Sequence, residues 1–132
     1  FFQLLPTPRP YARFPFFNMM NLGDGFGELI LRPRARLNIR TDVHTLRLAS
    51  KDDLWYAGGG AFQPNTFGFG GRPSGGRSGL ATLYDVSADY RISGYVSVTG
   101  YYAHAFGGKV AEATYPGGED ADLGYIETTI RF

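Results

Sequence analysis

The chain has 132 residues, with 13 basic and 12 acidic side chains and a formal net charge of +1. That length suits one domain, and the balanced charge excludes the strongly basic surface of a nucleic-acid binder. Cysteine is absent, which excludes a disulfide framework and a thiolate metal site, and no apolar run reaches the roughly 18–20 residues of a transmembrane helix.

Residues 1–25 carry Pro6, Pro8, Pro10 and Pro15 among Phe1, Phe2, Tyr11, Phe14, Phe16 and Phe17. Proline removes ladder donors, so a long outer loop with packed aromatics is expected, closed by a turn at Gly23-Asp24-Gly25. A first strand follows at 26–32, with Leu29 and Leu31 on one face and Glu28, Ile30 and Arg32 on the other. A three-residue turn at Pro33-Arg34-Ala35 would set Arg32 opposite Arg36 and Glu28 opposite Arg40.

Residues 36–50 alternate strictly. Leu37, Ile39, Thr41, Val43 and Thr45 fall on one face, and Arg36, Asn38, Arg40, Asp42 and His44 on the other. Most soluble strands run about 5–6 residues. A tilted strand crossing a bilayer needs about 9–11. This stretch is therefore expected to span a membrane. A Gly-rich connection covers 51–78, longer than compact soluble domains ordinarily leave without structure.

Alternation resumes at 80–91. Leu80, Thr82, Tyr84, Val86, Ala88 and Tyr90 share one face; Asp85, Ser87, Asp89 and Arg91 share the other. After a short turn at Ile92-Ser93-Gly94 comes a strand at 95–105, with Val96, Val98, Gly100 and Tyr102 opposite Ser97, Thr99 and Tyr101. A second long loop spans 106–121. The last strand, 122–132, puts Ile126, Thr128, Ile130 and Phe132 on one face and Tyr125, Glu127, Thr129 and Arg131 on the other.

Short and long connections thus alternate, and fall on opposite edges of one sheet. This is the asymmetry of a bacterial outer-membrane barrel, as is a terminal aromatic such as Phe132. The fold expected is all-β, an antiparallel transmembrane barrel. Five strands are too few to close one, so residues 1–132 are expected to be the C-terminal part of a larger barrel domain.

The inner wall would carry Glu28, Arg32, Arg36, Arg40, Asp42, His44, Asp85, Asp89, Arg91, Tyr101, Glu127 and Arg131. Its arginines suit carboxylate-bearing solutes, because a guanidinium fork matches a carboxylate. The competing reading is a ladder of cross-strand ion pairs that holds the wall together. Trp55, Tyr56, Tyr90 and Phe132 are assigned to the membrane interface.

Gly71-Arg72-Pro73-Ser74-Gly75-Gly76-Arg77-Ser78 approximates a phosphate loop. It lacks the buried strand before and the helix after that the motif needs, so it reads as loop. Asp52-Asp53 and Glu119-Asp120-Asp122 read as solvated loop charge rather than a calcium site. His44 and His104 fall on opposite faces, which argues against a metal site shared between them. No Ser/His/Asp set has catalytic spacing, so neither enzyme activity nor a cofactor is expected.

Two stretches carry a family likeness. His44-Thr45-Leu46-Arg47-Leu48-Ala49-Ser50 leads into Asp53-Leu54-Trp55-Tyr56-Ala57-Gly58-Gly59-Gly60-Ala61-Phe62, and Leu83 through Arg91 is followed by Tyr101-Tyr102-Ala103-His104. The chain resembles the C-terminal region of the alginate-export family of outer-membrane proteins over roughly residues 18–132. That resemblance implies a monomeric barrel in the bacterial outer membrane passing an anionic polysaccharide through an Arg/Lys-lined lumen. Two other functions are open to the same strands. One is a structural barrel that anchors a periplasmic or surface partner. The other is a soluble all-β binding module.

Overall fold

The computed structural model describes residues 14, 17, 19–56 and 71–132. The strands are β1 (Leu22–Arg34), β2 (Leu37–Leu48), β3 (Trp55–Tyr56), β4 (Gly71–Arg72), β5 (Gly79–Arg91), β6 (Val96–Gly107) and β7 (Ala121–Ile130), with one helix, α1 (Lys109–Thr114). Five of the strands form an open antiparallel sheet in the order β1-β2-β5-β6-β7. The short turns lie on one edge, called here the turn edge. The long connections lie on the opposite, loop edge. β1 and β7 border the sheet and have no outer partner among the described residues. No helix among those residues is long and apolar enough to cross a membrane, which says nothing of strands.

All five main strands match the alternating stretches, with adjusted ends. β1 starts at Leu22 rather than 26, because Gly23-Asp24-Gly25 is strand: Asp24 pairs with Leu46 and Gly25 with Thr45. Glycines at alternate positions leave no side chain to show the period, so the stretch reads as a turn from sequence. The expected turn at 33–35 shortens to Ala35 and Arg36, and the register shifts between Leu31 and Arg34. Pro33 lies inside that irregularity, where its missing N–H costs no ladder bond. The pairing is therefore offset by two residues from the expected one. Glu28 stands opposite Asp42, and Ile30 opposite Arg40.

The 51–78 connection is not wholly irregular, since β3 and β4 pair within it as a small second sheet. The 106–121 loop contains α1. Residues 1–13 and 57–70 lie outside the described residues, and with them most of the proline-rich loop and the 57–62 part of the family likeness.

The two faces of the sheet differ sharply. One face is covered. It carries Asp42, His44, Leu46 and Leu48 of β2, Ala81, Leu83, Asp85 and Ser87 of β5, and Tyr101, Ala103 and Ala105 of β6, all buried. Near the loop edge, Phe14, Phe17, Trp55 and Val110 of α1 pack on it as an apolar cluster. The other face is bare and carries Leu29, Leu31, Val43, Tyr84, Val86, Tyr90, Tyr102, Phe106, Ile126 and Ile130, all exposed.

Gly108, the residue before α1, shows how tightly that helix is seated. Its N–H donates to the Leu80 carbonyl at 2.7 Å, and a Cβ there would come within 2.5 Å of the Gly79 carbonyl oxygen. The obstructing atoms are backbone and cannot swing aside. Gly108→Ala should lift α1 off β5 and unseat the fully buried Val110. The expected cost is about 1–3 kcal/mol, the usual range for overpacking, read as a lowered denaturation midpoint.

Candidate functional site

The covered face changes character along the strands. At the loop edge it is the apolar cluster. Midway it is acidic and holds a histidine. At the turn edge it is rich in arginine.

The middle zone follows from the register. Phe26 stands opposite His44 and Glu28 opposite Asp42 across β1–β2, and Asp42 stands opposite Asp85 across β2–β5. Three carboxylates thus line up on adjacent strands, and facing like charges repel. Arg40 answers them. Its Nε lies 2.7 Å from Glu28 Oε2 and 2.8 Å from Asp42 Oδ2. The N–H is aligned with neither oxygen, so these are charge contacts rather than linear hydrogen bonds. Tyr101 Oη donates to Asp85 Oδ2 at 3.1 Å. His44, fully buried, has Nδ1 2.8 Å from Asp24 Oδ2. The Phe26 ring stacks on the imidazole with centroids 5.3 Å apart.

At the turn edge, Arg32, Arg34, Arg36, Arg91 and Arg131 surround a cleft of about 530 Å³, with Asp89 and Asn38 beside them. Asp89 Oδ1 accepts a hydrogen bond from Thr99 Oγ1 at 2.5 Å. None of the five arginines makes an ion pair among the described residues. Arg32 Nε reaches Asn38 Oδ1 at 3.4 Å, and Arg36 Nη1 reaches the Ile92 carbonyl at 3.4 Å, both long contacts. Unpaired guanidinium groups around an open cleft form an anion-attracting surface.

The twelve residues assigned to the wall therefore separate. Glu28, Arg40, Asp42, His44, Asp85 and Tyr101 form the middle network. Arg32, Arg36, Asp89, Arg91 and Arg131 form the cleft. Glu127, opposite Thr99 and exposed, joins neither. The ion-pair ladder holds for Arg40 alone, and the expected facing of Arg32 with Arg36 and of Glu28 with Arg40 gives way to the two-residue offset. The sequence reading missed Asp24, and its signal was parity: Asp24 lies four residues before Glu28.

The aromatic assignments also divide. Tyr90 and Phe132 are exposed, Tyr90 on the bare face and Phe132 just beyond β7. Tyr56 is half-buried in β3. Trp55 is a correction: it is only 3% exposed, packs in the apolar cluster, and donates from Nε1 to Thr114 Oγ1 at 3.2 Å. An indole so enclosed does not face an interface. Tyr84 and Phe106 make an exposed aromatic pair toward the loop edge instead. There, on the bare face, His104 Nδ1 and Tyr102 Oη both meet Asp122 Oδ1, at 2.8 and 2.5 Å. The two histidines occupy opposite faces, as alternation requires.

Compared with known protein families, curated proteins and solved structures, the chain matches none.

Proposed function

We propose that this chain forms part of the wall of a bacterial outer-membrane β-barrel, a conduit for anionic or polysaccharide solutes of the alginate-export type. One observation carries the reading: midway along the strands the sheet buries Asp42, His44 and Asp85 on one face and exposes apolar residues on the other. From the turn edge to the level of Thr41 and Val86, the bare face of β2, β5, β6 and β7 has no charged side chain; His104 and Asp122 stand level with Val43 and Tyr84, and Arg47 lies nearer the loop edge. A protein dissolved in water places these classes the other way round, and contiguous exposed apolar surface marks a contact with lipid or a partner. The main strands run 10–13 residues, against the about 9–11 that cross a bilayer at a tilt. Tyr84 and Phe106 toward one edge, and Tyr90 and Phe132 toward the other, suit the two interfacial girdles of such a wall.

The anion preference rests on the turn-edge arginines. The test is single-channel conductance of the full polypeptide carrying this chain, in planar bilayers. An anion-selective current is expected. Replacing Arg36 and Arg91 by Glu should cut the anion preference several-fold, on the order of what local fields do to ion concentrations at a charged mouth. Absence of current, or cation preference in the unaltered protein, rejects the anion conduit.

A second reading, a barrel that scaffolds a partner complex, is favoured by the apolar cluster. Trp55, Phe17 and Val110 fill the covered face near the loop edge, where an open channel would need water. Membrane insertion without conductance selects it. Folding and solubility without detergent would select a soluble binding module over both.

A further inference from the structure

The geometry points to a divalent transition-metal site formed by Asp42, His44 and Asp85, with Zn²⁺ the best-suited probe. The inference stands on the middle network alone and does not depend on a membrane location.

Asp42 and His44 are two residues apart on one face of β2, and Asp85 faces Asp42 from β5. All three are buried, and one ligand atom from each lies within 4.8 Å of the others. Around a tetrahedral ion with bonds of about 2.0–2.2 Å, ligand atoms stand about 3.4 Å apart, so side-chain rotations close the remaining gap.

The second observation concerns the atoms left over. Each prospective ligand has one polar atom committed to an orienting partner: His44 Nδ1 to Asp24, Asp42 Oδ2 to Arg40, and Asp85 Oδ2 to Tyr101. His44 Nε2 and Asp42 Oδ1 remain, buried and without any hydrogen-bond partner. Buried polar atoms in folded proteins are nearly always satisfied. A carboxylate holding one imidazole nitrogen while the other binds metal is the usual support for a metal-ligating histidine, because it fixes the tautomer with the lone pair at the far nitrogen. Asp24 occupies that position.

Charge points the same way. Asp24, Glu28, Asp42 and Asp85 bring four carboxylates to the network, and Arg40 is its one permanent cation. A bound dication would neutralise the excess and link β2 to β5 midway along the sheet. The donor set discriminates among ions. Calcium takes about 6–8 oxygen ligands, more than this cluster offers, and magnesium avoids imidazole. One imidazole with two carboxylates suits Zn²⁺, with Co²⁺ as its spectroscopic substitute. A proton shared between the facing carboxylates is the competing way to lower the same charge.

Because the ligands are enclosed, the ion would enter as the strands pair. The full polypeptide is therefore folded with equimolar Zn²⁺, dialysed to remove free metal, and its zinc content measured. The unaltered protein and His104→Gln, which alters only the other face, should each retain one ion per chain. His44→Gln and Asp42→Asn should retain none, and Asp24→Asn should weaken binding by about 10–100-fold, the usual cost of losing a ligand's support. Equal zinc in the unaltered protein and in His44→Gln, whether high or nil, overturns the site. If the ligand variants do not fold, Co²⁺ in the unaltered protein decides. Intense visible bands of a four- or five-coordinate ion support the assignment, and the faint spectrum of hydrated cobalt leaves the shared proton in its place.

Discussion

Val86→Arg should destabilise the protein folded in lipid vesicles by about 2–4 kcal/mol, the cost of placing Arg on a barrel's lipid face near the midplane. Val86 lies mid-strand in β5, between Thr41 of β2 and Tyr102 of β6, with its side chain on the bare face. If that face meets water, the same substitution costs little, because exposed strand positions tolerate change within about 0.5 kcal/mol. The environment, not the local fold, decides between the two values. Thr45→Arg serves as the internal comparison. Thr45 shares the face with Val86 but lies nearer the loop edge, two residues from the charged Arg47. Its cost should fall to about 0–1 kcal/mol, since the penalty declines toward the interface. Urea titration of each variant in vesicles measures the difference. Equal and small costs at both positions would mean that the bare face is not a hydrocarbon face.

The architecture was legible because period-two alternation survives long strands. In β2, β5 and β6 most alternate residues are apolar or β-branched, so strand identity, face and approximate length follow directly. That Asp42, His44 and Asp85 share one face follows from the same period; that this face is covered at their level does not. The charges were read as a lining without regard to partners, and partners depend on register. The turn at Ala35-Arg36 and the irregularity at Pro33 together offset the pairs of Leu22 through Leu31 by two residues, turning an expected Glu28–Arg40 facing into a Glu28–Asp42 one. No local sequence rule fixes such an offset.

Asp24 and Trp55 were misplaced for related reasons. Asp24 is flanked by glycines, whose signal for a turn outweighs a single polar residue of the right parity. Trp55 belongs to a connection whose regular structure, among the described residues, is the pair of two-residue strands β3 and β4. It is buried in the apolar cluster and bonded to Thr114, far along the chain, and no pattern local to residue 55 records those contacts. The split of the arginines had the same origin. Arg40 and Arg36 look equivalent in the alternating stretch, yet only Arg40 reaches carboxylates on its own and the neighbouring strand.

Arg40 accordingly carries the second large effect. Arg40→Met keeps most of the aliphatic stem and removes the charge that stands between Glu28 and Asp42. Asp42 remains opposite Asp85 with its side chain 2% exposed, so the two carboxylates lose their permanent counter-ion where water does not screen them. Breaking a buried pair by deleting one partner costs about 3–5 kcal/mol, and the lower end applies here because the Arg40 side chain keeps 24% of its surface exposed. Adding Asp42→Asn removes one of the two facing charges and should recover part of the loss, whereas Glu28→Gln, acting at the more exposed end, should recover less. The measurement is a double-mutant cycle of denaturation midpoints, run in chelator so that no bound cation substitutes for the guanidinium. The buried Asp42–Asp85 repulsion is the source of the cost only if the two rescues differ in that order. Equal rescue by either substitution would spread the cost over both ends of the row rather than assign it to the buried pair.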